Sequence, residues 1–225
     1  MSETRRVSIG GPWKPPKQPR TGLRKRFFAW LLSKLQRHYG DEIDGRKKEL
    51  LGALHGTVIE IGAGAGANLQ FYPRDAHLVL VEPNAYMHPY LEEMAQKQDA
   101  SFEIRDGTAE HMDVVDASAD FVVCTLVLCS VDDPEAALKE VVRVLKPGGR
   151  FIFLEHVAAP HGTKTRKWQR RLRGLWRCIC DGCTLDSETW TLIEEAGFAT
   201  YDIEHFDAED LPIVKPHIVG TGIKA

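Results

Sequence analysis

The residues best suited to chemistry in this chain lie in a glycine-rich segment, Glu60-Ile-Gly62-Ala-Gly64-Ala-Gly66-Ala-Asn68. Glycines at 62, 64 and 66 let the backbone turn tightly and let a ligand lie against it without Cβ interference. A second acid, Glu82, follows Glu60 by 22 residues, at the end of the next apolar run. A carboxylate at that place accepts hydrogen bonds from two ribose hydroxyls, so the pattern predicts a nucleoside-binding site.

The same segment also satisfies the dinucleotide pattern as Gly62-x-Gly64-x-x-Ala67, which makes NAD an alternative ligand. Three features argue against NAD. Glu60 stands two residues before the first glycine, where a carboxylate repels a pyrophosphate but can receive the ammonium of an amino acid. The chain has no Tyr-x-x-x-Lys pair, and it ends soon after a single sheet, so we expect no separate substrate domain.

A second group of polar residues is predicted to meet at the carboxyl ends of the strands, where ligands of a doubly wound sheet bind. His156 is our first candidate for a catalytic base or for cationic surroundings that activate a nucleophile, and Asp181 is the second. A structural hydrogen bond for the histidine and a turn position for the aspartate are the alternatives. The predicted substrate-pocket residues are Val127, Cys129, His205, His217 and Trp168.

The cysteines offer a further chemical alternative. Cys178-x-Cys180-x-x-Cys183 places three thiols together, and such a set can bind a soft metal ion or arsenic. Structural zinc usually takes four ligands and no fourth is near, so we predict incidental cysteines and no metal site. An odd total of five cysteines does not form a disulfide framework, which favours a reduced protein in the cytoplasm.

The elements that must position these residues alternate from Gly56 onward. Short apolar runs predict strands, and amphipathic runs between them predict helices. The runs are strands at 57–61, 77–82, 101–106, 120–130, 150–156, 200–206 and 217–224, with helices at 64–71, 85–97, 134–145, 164–177 and 187–197. This alternation predicts an α/β fold with a doubly wound, Rossmann-like, seven-stranded sheet. The last two strands have no helix between them and should pair antiparallel.

Charge is distributed unevenly along the chain. Eight of the first 26 residues are basic and one is acidic, so this segment carries +7 while the whole chain carries −3 and the remainder −10. Residues 164–177 hold seven basic residues and no acid. We expect residues 1–40 and 164–177 to contact an anionic membrane surface. The alternatives are that the N-terminal helix packs on the domain and that 164–177 is a solvated face or a lid over the substrate pocket. Nucleic acid is not favoured, because its phosphates would be repelled by the acidic remainder.

Taken together, the motifs resemble those of the class I S-adenosylmethionine-dependent methyltransferases. The resemblance rests on the glycine segment with Glu60 and Glu82, on Gly107-Thr-Ala-Glu110, and on Leu145-Lys-Pro-Gly-Gly149. It implies S-adenosyl-L-methionine as the cofactor and S-adenosyl-L-homocysteine as its product. The cofactor-binding residues it implies are Glu60, Gly62, Ala63, Gly64, Gly66, Asn68, Glu82, Pro83, Asn84, Met87, Gly107, Thr108, Ala109, Glu110, Thr125 and Leu126.

A narrower resemblance points to the methyltransferase-like protein 7 group, which is associated with methylation of small alkyl thiols. It is carried by the segments 123–131, 153–159, 168–169, 181–183 and 215–218, together with Trp176. The alternatives are O- or C-methylation of another small molecule such as a quinone-like lipid, and a cofactor-binding module without catalysis at a membrane surface.

This resemblance also suggests how the chain is divided. We expect a basic flexible tail and amphipathic helix over 1–40 and a methyltransferase domain over 41–225, with 157–185 as a helical insertion or lid. The related proteins carry an N-terminal hydrophobic anchor, whereas the apolar run here is only 27–32 and is flanked by charge. We therefore expect a cytoplasmic protein with peripheral membrane contact at most.

Overall fold

The computed structural model describes residues 22–35, 40–209 and 214–225. Within these ranges the chain forms six α-helices and seven strands. The helices are α1 (Leu23–Leu35), α2 (Asp41–Leu51), α3 (His88–Lys97), α4 (Pro134–Val144), α5 (Lys164–Ile179) and α6 (Thr189–Glu195). The strands are β1 (Thr57–Ile61), β2 (His77–Val81), β3 (Ser101–Arg105), β4 (Ala119–Thr125), β5 (Leu145–His156), β6 (Thr200–Asp207) and β7 (Pro216–Ile223). Residues 1–21 and 36–39, which belong to the tail and amphipathic helix predicted over 1–40, lie outside the described residues.

The seven strands form a single sheet in the order β3-β2-β1-β4-β5-β7-β6. Strands β1 to β5 are parallel, and β7 runs antiparallel to both of its neighbours, β5 and β6. This arrangement confirms the predicted doubly wound sheet with an antiparallel last strand. The polar β6 takes the outer edge and the apolar β7 lies inside the sheet, because an inner strand is covered on both sides.

The core is built by alternation along the buried strands. Ile59, Ile61, Val79 and Val81 pack on one face of the sheet with α4 and α6. The intervening apolar side chains pack on the other face with α2 and α3. Successive side chains of a strand point to opposite faces, so near-continuous apolar runs are what a sheet covered on both sides requires.

The glycine segment after β1 does not form the helix predicted over 64–71. The chain instead makes consecutive turns and then a short 3-10 helix, Leu69–Phe71. Gly62, Gly64 and Gly66 adopt φ values of 64°, 56° and 84°, which an α-helix does not contain. The glycines therefore serve the turn geometry, and the helical pattern that follows them is too short to overcome it.

A side-chain link ties the start of β1 to the neighbouring strands. Asp120 accepts hydrogen bonds from the Thr57 backbone N–H at 2.9 Å and from Lys146 Nζ at 2.7 Å. Burial acts to raise the pKa of Asp120, but these bonds outweigh it and the net shift is downward. The charged carboxylate thus stabilises the folded sheet.

Helices α1 and α5 lie at the carboxyl end of the sheet, where they border the cavity described below. In the part of the chain that the structure describes, no helix has the length and apolarity needed to cross a bilayer.

Candidate active site

A cavity of about 320 Å³ opens at the carboxyl ends of the parallel strands. Predicted cofactor residues on its wall are Gly62, Gly64, Glu82, Pro83, Asn84, Met87, Thr108, Ala109, Glu110, Thr125 and Leu126. Predicted catalytic and pocket residues on its wall are Val127, His156, Asp181 and His217. Two sets of residues, predicted on different grounds, thus face one space.

Glu82 is buried at the tip of β2 and is fixed by two backbone donors. Its carboxylate accepts from the Gly64 N–H at 2.9 Å and from the Asn84 N–H at 2.7 Å, one bond on each oxygen. Burial raises the pKa of Glu82, and the two N–H bonds act against that shift. Each oxygen keeps a further lone pair, so the carboxylate can accept bonds from two neighbouring hydroxyls of a ligand.

The turn after β1 and the loop after β4 are shaped against each other. A Cβ on Gly62 would lie only 2.5 Å from Val127 Cγ2, so glycine allows this close approach. Leu126 adopts a φ of 60°, which is uncommon for a residue with a side chain. The buried Glu155 holds this loop by accepting from the Val127 N–H at 3.0 Å and from Cys124 Sγ at 3.3 Å. These contacts fix the conformation of the loop after β4, and with it the shape of the cavity wall.

Glu60 and Asn68, both predicted to bind the cofactor, lie behind the cavity wall in this structure. Asn68 Nδ2 donates to Glu60 Oε1 at 2.9 Å and to Thr125 Oγ1 at 2.8 Å. Burial raises the pKa of Glu60 to about 7, although the bond from Asn68 opposes the shift. The two side chains link β1 to the end of β4, and they support the wall from behind.

Three other predicted cofactor residues, Ala63, Gly66 and Gly107, are also absent from the wall. A Cβ on Gly66 would meet Leu69 Cδ1 at 2.8 Å, and one on Gly107 would meet the His111 carbonyl oxygen at 3.0 Å. Both glycines therefore permit close packing within the protein.

Glu110 closes the cavity on the side of the loop after β4. Its Oε1 accepts from the Asp132 N–H at 2.9 Å and from the Asp133 N–H at 3.2 Å. Thr108 and His111 exchange backbone hydrogen bonds at 3.1 and 3.0 Å, so the turn that carries Glu110 is ordered. The loop Gly107–Glu110, predicted to bind the cofactor, thus has a defined shape.

A thiol–imidazole cluster lines the cavity where β5 ends, three strands away from β2 and Glu82. Cys183 Sγ lies 3.0 Å from His156 Nε2, 3.4 Å from Cys129 Sγ and 3.3 Å from Trp176 Nε1. Cys183 and Trp176 were not predicted as site residues, although both lie in segments that carried the narrower resemblance. The meeting of Cys183 with His156 and Cys129 depends on the fold, because Cys183 is 27 residues from His156 and 54 from Cys129 along the chain.

The surroundings favour a negatively charged Cys183. Hydrogen bonds from Cys129, His156 and Trp176 lower the pKa of Cys183 to about 5, against the effect of burial. Burial acts to lower the pKa of His156, but the bond to Cys183 outweighs it and the pKa is raised. Burial lowers the pKa of His217, on the same wall, to about 4. The cluster is therefore polar and charged, and Val127 and Trp176 add apolar surface to the same wall.

Asp181, the second predicted base, is already engaged in ion pairs. Lys25 Nζ lies 2.6 Å from Asp181 Oδ2, and Arg24 Nη2 lies 3.4 Å from Oδ1. The backbone carbonyl of Lys25 also accepts from Asn84 Nδ2 at 3.2 Å. These contacts hold α1 over the cavity, so the structure places the Asp181 carboxylate in ion pairs that join α1 to the segment after α5.

Two predicted pocket residues do not reach the cavity. His205 is exposed on β6 and packs edge-on against Trp190, with ring centroids 5.3 Å apart. Its neighbour Phe206 points to the opposite face and contacts His217, as strand alternation requires. Trp168 is 56% exposed on α5, whereas Trp176 on the inner side of the same helix lines the cavity. Cys129, a third predicted pocket residue, lies just behind Cys183.

The residues present fit S-adenosylmethionine. A buried carboxylate, Glu82, faces the cavity, and the backbone of Gly62 and Gly64 forms the adjoining wall without side chains. Met87, Ala109 and Leu126 provide apolar surface of the kind that an adenine ring requires.

Comparison with known proteins agrees with this geometry. Residues 59–153 match the family model described as a methyltransferase domain. The chain is 37% identical to the human thiol S-methyltransferase TMT1A, covering 89% of this chain and 87% of the relative. It is 38% identical to the rat thiol S-methyltransferase TMT1B, covering 97% and 91%.

A crystal structure of an S-adenosylmethionine-dependent methyltransferase from Thermotoga maritima superposes with a TM-score of 0.57 at 26% identity, covering 89% of this chain and 91% of that one. The predictions of the enzyme class and of the cofactor are confirmed. This chain belongs to the class I S-adenosylmethionine-dependent methyltransferases, in the family that contains TMT1A and TMT1B.

Proposed function

We propose that this enzyme transfers the methyl group of S-adenosylmethionine to the sulfur of a small apolar thiol. The observation that carries the proposal is the contact between His156 Nε2 and Cys183 Sγ on the cavity wall. His156 ends β5, which lies three strands away from β2 and Glu82 in the sheet. Cys183 Sγ already lies 3.0 Å from the His156 imidazole, so this part of the cavity wall can also accept the sulfur of a thiol acceptor. Val127 and Trp176 make the surroundings apolar, and the names of the relatives TMT1A and TMT1B support a thiol acceptor.

When bound, S-adenosylmethionine supplies an electrophilic methyl group on a positively charged sulfur. Glu82 holds the nucleoside end, and the loop held by Glu155 shapes the wall beside the acceptor. Phe28 and Leu32 of α1 line the cavity with apolar side chains, which would displace water from around a bound acceptor. A thiolate in a dry site is freed from hydrating water, and a fixed approach lowers the barrier further. His156 stays our predicted catalytic residue, in the role of cationic surroundings for the acceptor sulfur, because its contact with Cys183 raises the pKa of the imidazole.

A panel of acceptors tests the proposal. Benzyl thiol, 4-methylphenol and benzylamine have similar apolar bodies and differ in the attacking atom. With methyl-labelled cofactor, we expect label in the thiol product alone. Label in the phenol alone would contradict the proposal and favour the O-methylation alternative, and label in none of the three would favour the non-catalytic alternative. Glu82→Ala is the control for cofactor-dependent labelling.

We also propose that α1 and α5 contact an anionic membrane surface from the cytoplasmic side. Leu23, Phe27 and Trp30 recur at helical spacing on α1, and each is more than half exposed. Trp168, Leu175 and Ile179 likewise recur at helical spacing on α5 and are each more than half exposed, and the same helix carries seven basic residues. Apolar side chains flanked by lysine and arginine are typical of helices that lie in a bilayer interface. The five free cysteines support a reducing compartment such as the cytoplasm.

Vesicle co-sedimentation tests the membrane proposal. We expect the full chain to pellet with vesicles that contain phosphatidylserine, and to pellet less with pure phosphatidylcholine or in high salt. Replacing both Leu175 and Ile179 by serine should reduce the pelleted fraction. Val115→Ser, which alters an exposed valine away from both helices, is the matched control. Equal pelleting of the double variant and the parent would contradict the proposal.

A further inference from the structure

The thiol–imidazole cluster has the composition of a metal site. One ligand atom each from Cys129, His156 and Cys183 lies within 4.8 Å of the other two. Two sulfurs and one imidazole nitrogen are a ligand set that catalytic zinc uses when its fourth position stays open. Cys178 and Cys180, considered as ligands from the sequence, are not members of this cluster.

The observed distances are close to those that a tetrahedral ion requires. Zinc bonds of about 2.3 Å to sulfur and about 2.05 Å to nitrogen give separations of about 3.8 Å between sulfurs and about 3.6 Å between sulfur and nitrogen. The corresponding distances here are 3.4 Å between Cys129 and Cys183 and 3.0 Å between Cys183 and His156. These two pairs need to part by about 0.4–0.6 Å, whereas Cys129 and His156, which lie within 4.8 Å of each other, need to reach about 3.6 Å. Rotations about the χ angles of the three side chains provide such shifts.

The open position would face the cavity. Cys183 and His156 line the cavity, while Cys129 is 4% exposed and lies behind them. The three ligands would therefore surround an ion from behind the cavity wall, and its fourth position would point into the cavity. Structural zinc sites close the fourth position with another protein ligand, and among the described residues no fourth His, Cys, Asp or Glu joins this group.

We propose that Cys129, His156 and Cys183 bind a thiophilic divalent cation of the zinc class, whose open position takes the sulfur of the acceptor. The second half of this statement rests on the proposed thiol methylation. As the acceptor binds, its S–H bond breaks, a sulfur–metal bond forms, and the proton leaves to water at the cavity mouth. The methylated product is a neutral thioether, which is a poorer ligand than a thiolate and is released.

The ion would ionise the acceptor. An alkyl thiol is mostly protonated at neutral pH, and its thiolate is the nucleophile. His156 Nε2 is already in contact with Cys183, so a free imidazole base is not available in this arrangement. A bound divalent cation deprotonates a coordinating thiol and keeps it in place.

Cobalt(II) binding to the full-length protein tests the site without any turnover. We expect one ion per chain, with thiolate-to-cobalt charge-transfer absorption and the visible bands of a four-coordinate ion. Cys129→Ser and Cys183→Ser should each weaken binding by at least about 100-fold, because loss of an outer-shell partner alone costs about 10- to 100-fold. Cys178→Ser, at an exposed thiol outside the cluster, should leave binding unchanged. The affinity for S-adenosylhomocysteine, measured in parallel, reports whether each variant is folded.

Two results would overturn the site: no cobalt binding by the parent protein, or unchanged binding in folded Cys129→Ser and Cys183→Ser.

Addition of benzyl thiol should shift the visible cobalt bands, and an unchanged spectrum would overturn the open position for the acceptor. Metal-free enzyme should lose thiol methylation at least about tenfold and regain it with zinc. Full activity without metal would overturn the metal's role and leave the proposed function intact, whereas a metal-loaded enzyme that methylates no thiol would overturn the proposed function.

Discussion

The role of Glu82 provides the sharpest test of the cofactor site. Its two oxygens each accept one backbone N–H, from Gly64 and Asn84, at 2.9 and 2.7 Å. One acceptor position on each oxygen remains for the ribose. A hydrogen bond to a charged acceptor contributes about 1.5–3 kcal/mol, so Glu82→Ala should cost about 3–6 kcal/mol of binding free energy. Since about 1.4 kcal/mol is tenfold, we expect cofactor affinity to fall at least about 100-fold.

Glu82→Gln should give an intermediate loss. Glutamine keeps one acceptor oxygen, but its NH2 group meets a backbone N–H donor in the place of the second oxygen. Titration calorimetry with S-adenosylhomocysteine measures both variants without turnover. Glu92→Ala, which removes an exposed carboxylate on α3, is the matched control and should bind like the parent.

Unfolding in the absence of ligand must be measured alongside binding, because alanine also leaves two buried N–H groups without an acceptor. A folded Glu82→Ala protein whose affinity stays within about threefold of the parent would refute the ribose role of this carboxylate.

Three further predictions follow from the contacts around the cavity. Gly62→Ala should lower the free energy of unfolding in urea by more than Gly148→Ala, since both residues have positive φ but a Cβ is obstructed only at position 62; equal losses would exclude the steric account. Asp181→Asn should weaken cofactor binding about 3- to 30-fold and speed hydrogen exchange in α1, because the largely buried pair with Lys25 is broken. Loss of turnover with unchanged affinity and exchange would instead support the base role. Asp120→Asn should lower stability by about 1 kcal/mol at neutral pH, since the carboxylate is partly exposed. The lowered folded-state pKa of Asp120 makes this contribution present above its unfolded pKa and lost as pH falls through the folded one, so a deficit independent of pH in urea titrations would contradict it.

Much of the fold and of the cofactor wall could be predicted because the signals are local. Positive φ at Gly62 and Gly64 and an acid at the end of β2 are properties of single turns and strand tips. Buried apolar runs indicated the strands, since a sheet covered on both faces needs them. The helix predicted over 64–71 was wrong because the same glycines that favour ligand approach also favour turns.

Side-chain direction and packing could not be predicted from position along the chain. His205 stands near a strand end, as predicted, yet the pleat turns it away from the cavity. Trp168 and Trp176 share one helix, and only the docking of that helix decides which of them faces inward. Asp181 has the chemistry of a base, but α1 supplies a lysine that occupies it.

The sequence by itself therefore determined the strand pattern, the glycine turn and the acid that faces the nucleoside, because each depends on neighbouring residues. Only the tertiary structure decided the acceptor end. Cys129 follows β4, His156 ends β5 and Cys183 lies beyond α5. These residues meet within 4.8 Å because β4 and β5 are adjacent parallel strands and the segment after α5 folds back over their ends. No spacing along the chain encodes that meeting, since it is the packing of distant elements that produces it.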